Sequence, residues 1–157
     1  MVKVVQFRKA TDSDLNILNQ LLYRSEAFWG FDKAFMEKFI SLYRLTEDIL
    51  KHNIAWVMIL DENGTDDIVG FFSLKPVKDY HELDYFYVKH DCLGQGLGKI
   101  MWQYMLTICC KHRIKELFWV TTPFALPFYQ KMGASHTANV KSPVDGNRII
   151  HQLKYVL

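Results

Sequence analysis

An aromatic-rich, strand-like run from Tyr80 to His90 leads into Leu93-Gly94-Gln95-Gly96-Leu97-Gly98-Lys99, and a helical pattern from Leu97 to about His112 follows. This junction constrains the fold more than any other stretch of the chain. Glycine lets the backbone turn with positive φ and leaves room for a ligand to lie against it. A helix opening from such a turn offers unpaired N–H groups and a partial positive charge. Together these make a phosphate or pyrophosphate site built from backbone, with Lys99 near enough to approach an anion. On the glycines alone, a tight strand-to-helix connection is an equal reading.

Two familiar phosphate loops do not fit. A dinucleotide fingerprint requires Gly-x-Gly-x-x-Gly, but Lys99 stands three residues after Gly96, and Met101 three after Gly98. The nucleotide-triphosphate loop requires Gly-Lys-Ser/Thr, and here Gly98-Lys99 is followed by Ile100. The strand before the loop also carries Glu82 and Asp84, unlike a fully buried parallel strand.

At 157 residues the chain is expected to form one domain, residues 1–157, and with 50% hydrophobic residues it can bury a substantial core. A formal charge of +2 without a basic block argues against nucleic acid as a partner. Met1 to Ala10 alternates polar and apolar residues and has no signal-peptide core, and no apolar run reaches membrane-spanning length. Cys92, Cys109 and Cys110 have no metal-ligand spacing, and with the six histidines they suggest no metal set. Reduced thiols in a cytoplasmic protein that works away from membranes are the expectation.

Lys3 to Arg8 reads as a strand. Thr11 to Asp14 starts a helix carrying Leu15, Leu18, Leu21 and Leu22, and Asp32 caps a second with Phe35, Phe39 and Leu42. Thr46-Glu47-Asp48 starts a short helical turn. Ala55 to Leu60 and Ile68 to Leu74 flank the hairpin signal Asp61-Glu62-Asn63-Gly64, and Tyr80 to His90 extends the meander. After the glycine loop and its helix come a strand at Glu116 to Thr121, a helix initiated by Pro123 and ended by Gly133, and paired strands at Ala134 to Val140 and Arg148 to Val156. The pattern predicts an α+β (mixed α/β) fold, with a mostly antiparallel sheet of about seven strands and about four helices.

This order, with the glycine loop after the fourth strand, resembles the GNAT superfamily of acetyl-CoA-dependent N-acetyltransferases over nearly the whole chain. The family signature is Gln/Arg-x-x-Gly-x-Gly/Ala. Here both glycines are present as Gly96 and Gly98, and Leu93 replaces the polar residue. A second family pattern, Asn-x-x-Ala-x-x-Phe-Tyr-x-x-x-Gly, is matched by Ala125, Phe128, Tyr129 and Gly133, with Thr122 in place of Asn. Phe28-Trp29-Gly30-Phe31 and Glu82-Leu83-Asp84 resemble a bacterial branch whose substrates are mostly unassigned.

The resemblance implies transfer of acetyl from acetyl-CoA to a primary amine, by direct attack in a ternary complex and without a metal. Leu93, Gly94, Gln95, Gly96, Leu97, Gly98 and Lys99 would hold the pyrophosphate, and the backbone of Phe86, Tyr87 and Val88 the pantetheine amides. Tyr129 matches the tyrosine that serves as acid or hydrogen-bond donor at the cofactor sulfur. Glu82 stands where some members carry a general base. By strand alternation it is expected to share a face with Asp84, Phe86 and Val88, leaving Asp84 as the reserve. Phe28, Trp29 and Phe31 fall where the family builds a wall of the acceptor site.

The acceptor is either a small amine or a peptide or protein amine, and a homodimer stays open. A non-catalytic acyl-CoA-binding or regulatory module on the same fold is the alternative. A nucleotide-phosphate transferase is disfavoured by the missing magnesium ligands.

Overall fold

The structure, a computed structural model, describes residues 3–157; Met1 and Val2, the start of the segment read as leaderless, lie outside the described residues. Seven strands form one sheet: β1 (Lys3–Lys9), β2 (Ile54–Glu62), β3 (Thr65–Val77), β4 (Tyr80–Val88), β5 (Glu116–Thr121), β6 (Ser135–Lys141) and β7 (Ile149–Val156). Their order is β1-β2-β3-β4-β5-β7-β6. Among the described residues only β4 and β5 are parallel neighbours, as the long helical connection between them requires. The β2–β3 hairpin turns through Asn63 and Gly64, at φ 56 and 78, the two positive angles of a tight two-residue turn.

Helices cover both faces of the sheet. α1 (Leu15–Ala27), α2 (Lys33–Tyr43) and the short α3 (Glu47–His52) come before β2, α4 (Leu97–Lys111) follows the glycine loop, and α5 (Leu126–Lys131) precedes β6. On one face, Leu18, Leu22, Met36 and Phe39 of α1 and α2 pack on Val57, Phe71 and Tyr85. On the other, Met101, Trp102 and Met105 of α4 pack on Phe72, Leu74 and Leu83.

Four differences from the sequence reading matter for the site and its surroundings. α3 is a full helix capped by Thr46, whose Oγ1 accepts from Ile49 N at 3.3 Å, so the described residues form five α-helices where about four were expected. β4 ends at Val88, because His90–Cys92 winds into a 3₁₀ turn. α5 begins at Leu126 rather than Pro123. Thr122 to Ala125 forms a turn, and Pro127 takes the first helical turn, where a missing N–H breaks no bond.

The fourth difference bears on the site. The β3–β4 ladder slips: Ser73 opposes Tyr85 and Leu74 opposes Leu83, so Asp84 is an extra residue in β4. This β-bulge swaps the faces of the strand on either side of it. Leu83, Phe86 and Val88 all face the α4 side. Glu82, adjacent to Leu83, is therefore on the α1–α2 side with Tyr85 and Tyr87, and does not share a face with Phe86 and Val88.

Candidate active site

β4 and β5 pair only at His81–Leu117 and Glu82–Phe118, then separate. The gap opens into a cleft of about 710 Å³ bordered by Leu83 to Val88 on one side and Trp119 to Thr122 on the other. Beyond Glu82, the edge of β4 that faces the gap has no strand partner. An extended chain bearing amides can pair with such an edge as an added strand. The segment Phe86-Tyr87-Val88 borders this gap.

The glycine loop stands where β4 ends. Gly94 and Gly96 both have φ of +79, and Gly96 is the residue before the first turn of α4. Its carbonyl accepts from Ile100 N at 3.2 Å, while the first N–H groups of this fifteen-residue helix have no partner of their own within it. A Cβ added at Gly94 or Gly96 would meet nothing within 4 Å, so the cradle outside them is open. Gly98 differs, since an added Cβ would come to 3.0 Å from Phe128 Cε1. Its small size lets α4 and α5 meet. Leu93 and Gly98 border the cleft, Gly94, Gln95, Gly96 and Lys99 form the exposed rim, and the Leu97 side chain is buried in the core. An open N-terminal cradle beside an unpaired strand edge fits a ligand with a pyrophosphate at one end and an amide-bearing arm, as acetyl-CoA has.

The bulge turns Asp84 into the cleft beside the α3–β2 junction. Asp84 Oδ2 accepts from Asn53 Nδ2 at 2.8 Å, and the same nitrogen lies 2.8 Å from Ser73 Oγ. Asp84 Oδ1 is buried without a hydrogen-bond partner. Burial raises the pKa of this carboxyl to about 7; the Glu82 charge adds to the rise, and hydrogen bonds from Ser73 and Asn53 oppose it. Glu82 also borders the cleft, half-buried, with Lys75 and Phe118 as cross-strand neighbours.

Tyr129 lies among Trp119, Phe128 and Phe86, with ring centroids at 5.2, 5.3 and 5.9 Å. Burial raises its pKa well above that of an ordinary phenol, so it stays protonated. The ring borders the cleft, and among the described residues nothing hydrogen-bonds its hydroxyl. The three thiols lie outside the cleft, and burial pushes the Cys109 thiol up to about 12, which leaves it a poor nucleophile.

Of the three aromatics in the α1–α2 turn, Trp29 alone borders the cleft. It stacks on Phe124 of the β5–α5 turn at 4.7 Å and 1°, bridging the gap. Phe28 stacks on His90 at 5.6 Å, and Phe31 meets Phe124 edge-on at 6.2 Å.

The sequence reading missed Asn53, Phe124, Glu26 and Arg148. Glu26 is 6% exposed, borders the cleft, and has no hydrogen bond or ion pair among the described residues. Burial raises its pKa to about 7, against the opposing charge of Arg148. The Arg148 guanidinium sits 4.3 Å from the Phe31 ring centroid and 5.2 Å from that of Phe35. A signal for Glu26 was present, because it continues the spacing of Leu18, Leu21, Leu22 and Ser25 on the apolar stripe of α1. Among the described residues, no group of three or more His, Cys, Asp or Glu side chains is arranged to hold a metal, and no helix is long and apolar enough to cross a membrane.

A model of the acetyltransferase (GNAT) family matches residues 19–134. A comparison with curated proteins gave no match. Among solved structures, the PaiA N-acetyltransferase of Thermoplasma acidophilum, in complex with coenzyme A, superposes with a TM-score of 0.77 at 18% identity, over 98% of this chain and 99% of that one. A GCN5-related N-acetyltransferase of Rhodopseudomonas palustris gives 0.76 at 17% identity, over 100% and 99%. A GNAT family acetyltransferase of Elizabethkingia anophelis with acetyl-CoA bound gives 0.63 at 17%, over 99% and 98%. These likenesses are of overall fold, and the family match at residues 19–134 spans well over half of the chain: the chain belongs to the GNAT family of acetyltransferases.

Proposed function

We propose that this protein transfers the acetyl group of acetyl-CoA to a primary amine by direct attack within a ternary complex. The observation that carries the reading is Asp84 Oδ1, a buried carboxylate oxygen without a partner, in the same cleft as the unpartnered Tyr129 hydroxyl. The family match, and the neighbours with coenzyme A or acetyl-CoA bound, support the donor. The unpaired edge of β4 holds the pantetheine amides of that donor, and the cradle at Gly94 to Gly96 its pyrophosphate.

An alkyl amine is nearly all protonated at neutral pH and must lose a proton to attack. Asp84, with its pKa at about 7, is half ionised there and suited to take that proton. Glu82 flanks it, and its negative charge helps to keep the Asp84 pKa high. One ammonium proton passes to Asp84, the freed nitrogen bonds to the acyl carbon as the carbon–sulfur bond breaks, and a second proton from that nitrogen replaces the one the Tyr129 hydroxyl gives to sulfur, which leaves as the thiol of coenzyme A. The Tyr129 hydroxyl meets the charge that develops on sulfur, in a site whose aromatic walls exclude water.

The test is release of free thiol from acetyl-CoA with a panel of amines, measured against pH. The rate should rise with pH and level off above about 7. Asp84→Asn should remove that limb, and Glu82→Gln should keep it with a lower midpoint. Loss of the limb in Glu82→Gln alone would transfer the base to Glu82. Binding of acetyl-CoA without turnover of any amine would favour the binding module.

A further inference from the structure

Away from the cleft, His136 and Asn139 of β6 meet His151 of β7 near one edge of the sheet. His136 Nε2 lies 2.8 Å from Asn139 Oδ1 and 3.1 Å from His151 Nδ1, and His151 Nδ1 lies 2.9 Å from the same Oδ1. The Ala138 carbonyl oxygen stands 3.0 Å from His136 Nε2. None of these residues borders the cleft. His136 and Asn139 are exposed and His151 is half-buried, so dissolved ions reach them.

A β-bulge assembles this set. His136 opposes Leu153 and Ala138 opposes Gln152, so Thr137 is an extra residue in β6. In a regular strand, residues three apart point to opposite faces. The bulge brings His136 and Asn139 to one face, with Asn139 directly opposite His151. Spacing along the chain conceals the set for that reason, and because its third member is an amide rather than an acid, thiol or imidazole.

Hydrogen bonding alone leaves the triangle unsatisfied. An amide oxygen only accepts, so its two contacts need an N–H on each ring nitrogen. The contact between the rings needs an N–H on one nitrogen and a lone pair on the other. Turning the amide over presents its NH2 group and calls for lone pairs on both nitrogens. That again sets like against like between the rings, and it removes the donor facing the Ala138 carbonyl. No placement of protons meets all three contacts. A cation that takes one lone pair from each of the three atoms does.

The edge lengths select a geometry. With metal–ligand bonds of about 2.1 Å, neighbouring ligands of an octahedron lie about 3.0 Å apart, and those of a tetrahedral zinc site about 3.4 Å. The observed edges of 2.8, 2.9 and 3.1 Å fit one face of an octahedron. An ion about 1.2 Å above the plane of the triangle reaches all three atoms at that bond length. Imidazole nitrogens suit nickel and copper, and disfavour magnesium and calcium, which take oxygen.

We propose that His136, Asn139 and His151 form a surface site for a divalent first-row transition ion of the nickel or copper kind, held on one octahedral face with water in the other positions. β6 is an edge strand that joins the sheet through β7, and its ladder slips at Thr137. The ion ties β6 to β7 across that slip.

The experiment is a calorimetric titration of the full, tag-free chain with nickel chloride, beside zinc and magnesium chloride. Nickel should bind at one saturable site, more tightly than zinc and at least about a hundredfold more tightly than magnesium. His136→Ala and His151→Ala, each confirmed folded by its melting curve, should weaken nickel by about tenfold to a hundredfold or more, and Asn139→Ala by about tenfold. In nuclear magnetic resonance spectra, less than one equivalent of paramagnetic nickel should broaden the ring signals of His136 and His151 before those of the other four histidines. Nickel should also raise the melting temperature of the wild type more than that of either histidine variant. No saturable nickel binding, equal affinity in the histidine variants, or broadening that begins at another histidine would overturn the proposal. Tighter binding of zinc than of nickel would overturn the octahedral geometry on which it rests.

Discussion

Replacing Asp84 by asparagine keeps the shape of the side chain and an oxygen for Asn53 to donate to, but removes the titration. In the folded protein the carboxyl pKa is raised from 3.8 to about 7, chiefly by burial. The folded chain therefore holds a proton that the unfolded chain has already released at moderate pH. Both states are protonated well below pH 4; stability falls as pH rises through about 4 to about 7, and is flat with respect to this group beyond that. At about 1.4 kcal/mol per pKa unit, integration between pH 5 and pH 8 gives a loss of about 2 to 3 kcal/mol from this one group. Urea unfolding of the wild type and Asp84→Asn at both pH values isolates it, because the buried Glu26 titrates in both proteins and cancels in the double difference. Asparagine should gain on the wild type by about 2 to 3 kcal/mol on going from pH 5 to pH 8. A double difference within about 0.5 kcal/mol of zero, near the error of such extrapolations, would mean that Asp84 is ionised throughout, and the argument for it as the base would fail.

Tyr129→Phe keeps the ring among Trp119, Phe128 and Phe86 and should lower turnover by roughly 10- to 1000-fold, with little change in melting temperature. An unchanged single-turnover rate would show the hydroxyl to be idle. Gly98→Ala brings a methyl group to 3.0 Å from Phe128 and should cost about 1 to 3 kcal/mol in urea unfolding, through strain between α4 and α5. Gly96→Ala meets no atom but imposes a side chain at φ +79, so it should cost about 1 to 2 kcal/mol of stability. It should also weaken acetyl-CoA in a titration of the folded variant, and unchanged affinity would move the pyrophosphate elsewhere.

The order of elements along the chain and the glycine junction were legible because period-two and period-3.6 apolar patterns meet at Gly94 to Gly98, and both resulting faces find helices. The bulge at Asp84 was not. Tyr80 to Val88 contains no glycine or proline, and a ladder slip depends on the partner strand, where Ser73 and Leu74 set the register. Strand alternation therefore put Glu82 on the wrong face, while its ranking over Asp84 rested on the family resemblance, which carries no sign of a register slip. The start of α5 was misplaced because Pro123 and Pro127 send the same local signal, and tertiary packing of Phe128 and Tyr129 decides between them. Arg148 and Phe124 come from loops far apart in sequence, and only the folded sheet brings each against an α1–α2 aromatic.

The short β4–β5 pairing, two rungs at His81 and Glu82, leaves an internal sheet edge that the protein has to keep open. Another rung or two would join the halves of the sheet more firmly, and would also erase the gap proposed to hold substrate. Selection for a tighter fold and selection for turnover thus pull in opposite directions on the same few peptide groups. On the proposed placement of the donor, the bound cofactor becomes the missing stretch of sheet, a removable strand that stiffens the seam while it is present and loosens it on leaving. Amide exchange along Leu83 to Val88 should slow when coenzyme A is added, and the seam should be the first part of the sheet to yield when it is withdrawn.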